Sequence, residues 1–110
     1  MLLNRDRAIK AMDKKALDAL IASTTVNIQY LTDVPYILGY AVLPREKDLE
    51  PFLITGINRN ATVVDSGTWI KDIRFRGGAF YWAYDPSAEL TELEKKLKAN
   101  VDSALMDQIV

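Results

Sequence analysis

The stretch Leu17-Asp18-Ala19-Leu20-Ile21-Ala22-Ser23-Thr24-Thr25-Val26-Asn27-Ile28-Gln29-Tyr30-Leu31-Thr32 changes its periodicity midway, and that change decides the fold class. The apolar run Leu20-Ile21-Ala22 is short and clearly bounded, the pattern of a buried strand. Ser23 and Thr24 supply hydroxyls suited to cap a helix by accepting a backbone N–H. Val26, Asn27, Tyr30 and Leu31 then recur at helical spacing, so a short helix is expected to pack back onto the strand that feeds it. Strand, polar turn and helix read as half of a βαβ unit and point to an α/β domain. Nothing in the stretch is chemically reactive. It specifies a scaffold.

Before it, Asn4 to Ala16 reads as a helix with Ala8, Ile9, Met12 and Ala16 on one face. Asn4 is the expected N-cap, and Asp6 sits in the first turn, where the helix dipole favours a negative charge. After it, Asp33-Val34-Pro35-Tyr36-Ile37-Leu38-Gly39 is an irregular connection, since Pro35 disfavours helix at Val34. Tyr36, Ile37, Leu38 and Tyr40 are more apolar than a passive loop needs. They either cover one end of the sheet or form a ligand rim or subunit contact.

Tyr40–Leu43 and Phe52–Thr55 read as an antiparallel hairpin, with a polar tip from Pro44 to Pro51. The acids Glu46, Asp48 and Glu50 in that tip lack the glycine and spacing of a calcium loop and read as a solvated turn. Ile57, Ala61 and Val64 suggest a turn or two of helix after Gly56. From Trp69 to Arg76 a strand is expected, with Lys71, Ile73 and Phe75 facing one way and Asp72, Arg74 and Arg76 the other. The densest aromatic cluster follows Gly77-Gly78: Phe80, Tyr81, Trp82 and Tyr84, either core or a partly exposed subunit interface. Asp85-Pro86 is expected to open the last helix, with Leu90, Leu93, Leu97, Val101 and Ala104 as its apolar stripe.

A chain of 110 residues is a single domain. It carries a net charge of −1, which gives no electrostatic pull toward nucleic acid or an anionic membrane. No apolar run is long enough to span a bilayer. The absence of cysteine excludes thiol catalysis and zinc–thiolate sites and fits a reducing, cytoplasmic setting. The absence of histidine removes the usual proton carrier of neutral-pH catalysis. No phosphate-binding glycine loop is present, because Gly77-Gly78 lacks the lysine and the spacing. The carboxylates Asp18, Asp33, Asp65 and Asp72 would make a two-metal nuclease site only if they converged on the sheet. Arg74, Arg76, Phe80, Tyr81 and Trp82 superficially suit stacking on single strands, without the basic surround that such binding needs. No catalytic, metal or cofactor residue is assigned in this chain.

The run from Leu17 to Ser23, three further residues, then Asn27-Ile28-Gln29-Tyr30-Leu31-Thr32 resembles the signature of the creatinase/prolidase N-terminal domain. That domain precedes the pita-bread metallopeptidase domain in Xaa-Pro dipeptidases, aminopeptidases P and creatinases. The likeness runs from about Arg5 to Leu105, and Asp33 stands where the family commonly has glycine. The resemblance implies a ribonuclease-H-like α/β fold, a mixed β-sheet with flanking helices, over residues 1–110. It implies that this domain is non-catalytic and that the metallopeptidase domain, with two divalent metals (Mn, Co or Zn), is absent, so that the chain is truncated. It implies homo-oligomer contacts, a dimer in the first instance, and a role in shaping the substrate entrance, with Tyr36 and Tyr40 as rim residues. The alternative is a stand-alone peptide- or protein-binding module without an enzymatic partner.

Overall fold

A computed structural model of the protein describes residues 1–76 and 89–109. The first helix, α1 (Arg5–Lys14), is capped as expected: the Asn4 side chain accepts the Arg7 backbone N–H. Its inward face centres on Met12, which has no exposed surface, while Ala16 lies beyond the helix at a positive φ of 55°.

Strand β1 (Ala19–Ala22) follows, then α2 (Thr25–Thr32), with Thr24 as N-cap accepting from the Asn27 N–H. Two expectations are corrected here. The face that α2 buries is Ile28, Leu31 and Thr32, whereas Val26 is 73% exposed. Ile28 and Thr32 stand four apart, and the Thr32 hydroxyl donates to the Ile28 carbonyl at 2.7 Å, so a threonine can be buried without an orphaned polar group. The second correction is topological. Strand β2 (Gly39–Pro44) runs antiparallel to β1, so β1–α2–β2 is not a parallel crossover unit.

Strand β3 (Phe52–Gly56) closes the expected hairpin, antiparallel to β2 with Tyr40 opposite Ile54 and Val42 opposite Phe52. The parallel crossover comes next. A single turn of 3₁₀ helix (Ile57–Arg59) leads into α3 (Asn60–Asp65), and β4 (Asp72–Arg76) then lies parallel to β3. The inward residues of this crossover are Ile57, Asn60 and Val63, not the face through Ala61, which is exposed. In β4 the alternation is as read from the sequence, with Phe75 buried and Arg74 and Arg76 exposed.

The last helix, α4 (Glu92–Ile109), starts several residues after Pro86. A capping box sets its start: the Glu94 N–H donates to Thr91 Oγ1 at 3.2 Å, and the Thr91 N–H donates to the Glu94 carboxylate at 3.4 Å. The Asp85-Pro86 helix start and the aromatic residues Phe80, Tyr81, Trp82 and Tyr84 lie outside the described residues.

The result is the expected α/β class: among the described residues, a four-stranded mixed sheet in the order β1-β2-β3-β4, flanked by helices. The core lies on the helix side, where Ala22, Ala41, Leu43, Leu53 and Phe75 from the strands meet Met12, Ile28, Leu31 and Val63 from the helices. On the opposite side the strands present Ile21, Tyr40, Val42, Phe52 and Ile54, partly to fully exposed. There the Arg74 guanidinium lies 4.1 Å from the centre of the Phe52 ring and is held in place by two bonds to the Asp72 carboxylate. No described helix is long and apolar enough to cross a membrane.

Candidate functional site

The connection from α2 to β2 is irregular and holds Asp33 and Tyr36, two of the three non-glycine residues with positive φ among the described residues. Asp33 ends α2 in the left-handed conformation, φ 68°, and its N–H closes the helix on the Gln29 carbonyl. A position of this kind normally falls to glycine. Asp33 holds it because its carboxylate is engaged, accepting the Leu2 N–H at 2.8 Å and lying 3.5 Å from the N-terminal ammonium. The short polar side chain thereby ties the chain start to the end of α2.

From there the loop is clamped at both ends. Val34 N–H donates to Thr32 Oγ1 at 3.1 Å, Trp69 Nε1 donates to the Leu31 carbonyl at 2.9 Å, and the Thr68 hydroxyl donates to the Thr32 carbonyl. At the far end the buried Thr55 hydroxyl donates to the Leu38 carbonyl at 2.8 Å. Val34 and Ile37 are fully buried and act as plugs. Between and beside them Tyr36 is 83% exposed and Leu38 73% exposed. Tyr36 also has a positive φ of 58°, a conformation that costs a bulky residue on the order of 1–2 kcal/mol. A fixed frame thus presents an outward aromatic ring on a strained backbone.

Gly39 makes the turn into β2 possible. A Cβ at this position would lie 2.0 Å from the Ile54 carbonyl oxygen, and φ is 151°, so only glycine fits. The next residue, Tyr40, is half-exposed on the sheet side away from the core. It helps line a shallow pocket of about 290 Å³ with Ser23, Leu38, Thr55 and Arg76. Tyr36 is not among the walls of that pocket. The two tyrosines named from the sequence therefore share one segment but not one cavity.

Ser23 and Thr55 escaped the sequence reading as site residues, whereas Leu38 was among the apolar residues named with Tyr36 and Tyr40. Leu38 sits in an unbroken apolar run, Tyr36-Ile37-Leu38, and only the loop path decides that the middle residue is buried and its neighbours are not. Arg76 did carry a signal, as the last outward position of β4. The pocket offers hydroxyls, an aromatic ring and a cation, a set suited to holding a polar or peptide group. The chain has no imidazole or thiol beside them to activate a nucleophile. Among the described residues no three acidic side chains converge to hold a metal ion, so Asp18, Asp33, Asp65 and Asp72 do not gather into the two-metal nuclease site weighed from the sequence.

A layered mixed sheet with a braced aromatic loop defines a small α/β domain that presents a surface from one end of its sheet. The chain belongs to the creatinase/prolidase N-terminal domain family, whose model matches residues 4–102. A search of curated proteins returned no match.

Proposed function

We propose that residues 1–110 form the non-catalytic N-terminal domain of a metal-dependent peptidase of the Xaa-Pro dipeptidase or aminopeptidase kind, and that the domain acts in a cytoplasmic homodimer. Catalysis, with two divalent metals (Mn, Co or Zn), belongs to the following domain of that parent enzyme. The observation that carries this reading is the loop after α2 in a member of this family: it is clamped by Thr32, Thr55 and Trp69 and exposes Tyr36 at a strained φ. Strain held in place by its surroundings gathers where a side chain must be aimed outward. Tyr36 and Tyr40 then stand at the rim past which a short peptide enters, offering ring faces and hydroxyls to its backbone. Phe80, Tyr81, Trp82 and Tyr84, outside the described residues, are the candidate dimer contacts by composition.

The test uses the parent enzyme read from the frame that encodes this chain. Tyr36→Ala is expected to raise KM for an Xaa-Pro dipeptide several-fold with kcat little changed, the pattern of lost positioning at an entrance. The 110-residue chain alone, with added Mn²⁺, Co²⁺ or Zn²⁺, is expected to hydrolyse the dipeptide no faster than a metal-only blank. Unchanged KM in both Tyr36→Ala and Tyr40→Ala removes the rim role. Turnover by the isolated chain removes the whole reading.

A further inference from the structure

A second concave surface lies away from the loop just described, between α1 and α2 and along the outer edge of β1. It is a groove of about 360 Å³, floored by Leu20, Ala22 and Leu43 and walled by Ala8, Ala11 and Tyr30. Two features of it point to the same kind of occupant. The first is the edge. Strand β1 ends the sheet order, and among the described residues nothing pairs with its outer side. Its sequence, Ala19-Leu20-Ile21-Ala22, is short but has no charge and no proline, two of the devices that protect such edges, and Ile21 on it is 67% exposed. The second is charge. The groove lining contains no carboxylate and one cation, Arg7, in a chain whose net charge is −1. Among the described residues the Arg7 guanidinium has no ion pair. Asp6, the neighbour of Arg7 in α1, is paired with Lys47 at 2.6 Å, and Asp33 with the N-terminus.

We propose that this groove takes an extended peptide that ends in a free carboxylate. The peptide backbone adds to β1 as a further strand, satisfying the outward N–H and C=O groups of the edge. Alternate side chains of such a strand fall on one face, so an aliphatic residue enters the apolar groove while its neighbours stay in solvent. Arg7 receives the carboxylate as a charge-assisted pair, with Asn4 and Asn27 at the same lining able to donate to it. A second copy of this chain is a poorer occupant, because the same groove on that copy has no carboxylate in its lining to offer to Arg7. The site is separate from Tyr36 and Tyr40 and does not rest on the entrance reading.

The experiment is a titration of the ¹⁵N-labelled chain with the tetrapeptide N-acetyl-Val-Leu-Val-Leu and with the same peptide as its C-terminal amide, followed by amide shifts. Saturable shifts are expected at Ile21, Ala22, Arg7 and Tyr30, with the amide binding about tenfold or more weakly. Arg7→Ala is expected to bring the acid down to the affinity of the amide. This variant touches only an exposed side chain, so its spectrum otherwise matches the parent. Ala11→Phe, which fills the groove, is expected to abolish both. Equal affinity for acid and amide, shifts confined to other surfaces, or no saturable shift overturns the proposal. So does a dimer that Ala11→Phe dissociates, which would make the edge a self-association surface.

Discussion

Gly39 and Tyr36 sit three positions apart and have opposite relations to their backbones. At Gly39 the φ of 151° and the 2.0 Å approach of the Ile54 carbonyl leave no room for a Cβ. Gly39→Ala must therefore push β2 away from β3 at the point where Gly39 faces Thr55. A loss of about 2 kcal/mol or more is expected, read as a lower urea midpoint with an unchanged slope. Tyr36 is the reverse case, a bulky residue at φ 58° with its ring almost wholly in solvent. Tyr36→Gly gives up no packing and relieves the strain, while making the unfolded chain freer. Stability is expected to hold or to rise by up to about 1 kcal/mol in the same titration. A clear loss would mean that the ring is kept for folding and not for its outward position.

Among the elements, the joint between α3 and α4 is built from buried polar groups. Asn60 is 3% exposed and makes two bonds there, donating to the Leu97 carbonyl at 3.0 Å and accepting from Asn100 Nδ2 at 2.7 Å. This explains why Asn100, a weak helix former, does not end α4: its side chain is engaged across the joint and not with its own backbone. Asn60→Leu strips the Asn100 side-chain amide of its partner and removes the added bond to the Leu97 carbonyl, and is expected to cost about 1–3 kcal/mol. A double-mutant cycle of Asn60→Ala with Asn100→Ala should be non-additive, because the two share one bond. Additivity would mean that water already replaces it.

For the molecule as a whole, α1 is held to the β2–β3 turn by surface charge. Lys47 hydrogen-bonds the Asp6 carboxylate and attracts it, which holds its carboxyl below the ordinary value of 3.8. Arg45, just after β2, reaches Asp13 at 3.3 Å and Asp18 at 3.6 Å. A carboxyl with a folded-state value below its unfolded one stabilises fully above the unfolded value and loses that contribution as pH falls through the folded one. The Asp6 contribution should therefore fade below about pH 3.8. Asp6→Asn should flatten that part of the acid limb in low salt. The difference should shrink in high salt, since solvent screens an exposed pair. Beneath this network Met12 keeps the helix seated. It has no exposed surface, and its position as an inward residue could be read directly from the spacing with Ala8 and Ile9.

Local chemistry carries its own signal, and the residues that depend on it were legible. Asn4 caps α1 because its side chain is three residues from the N–H it accepts, and β4 alternates because a pleated strand must. The hairpin from β2 to β3 needs only two apolar runs and a polar link. The run from Asn27 to Thr32, with its neighbours, was enough to mark the family to which the chain belongs. What pairs with what was decided elsewhere. Whether β2 returns antiparallel to β1, which face α2 buries and which of Tyr36, Ile37 and Leu38 turns inward depend on surfaces contributed by distant segments. Thr32 joined the core and Val26 did not because one hydroxyl found the Ile28 carbonyl and the other side chain found only water. Burial is a property of two surfaces meeting, and a linear string holds only one of them at a time.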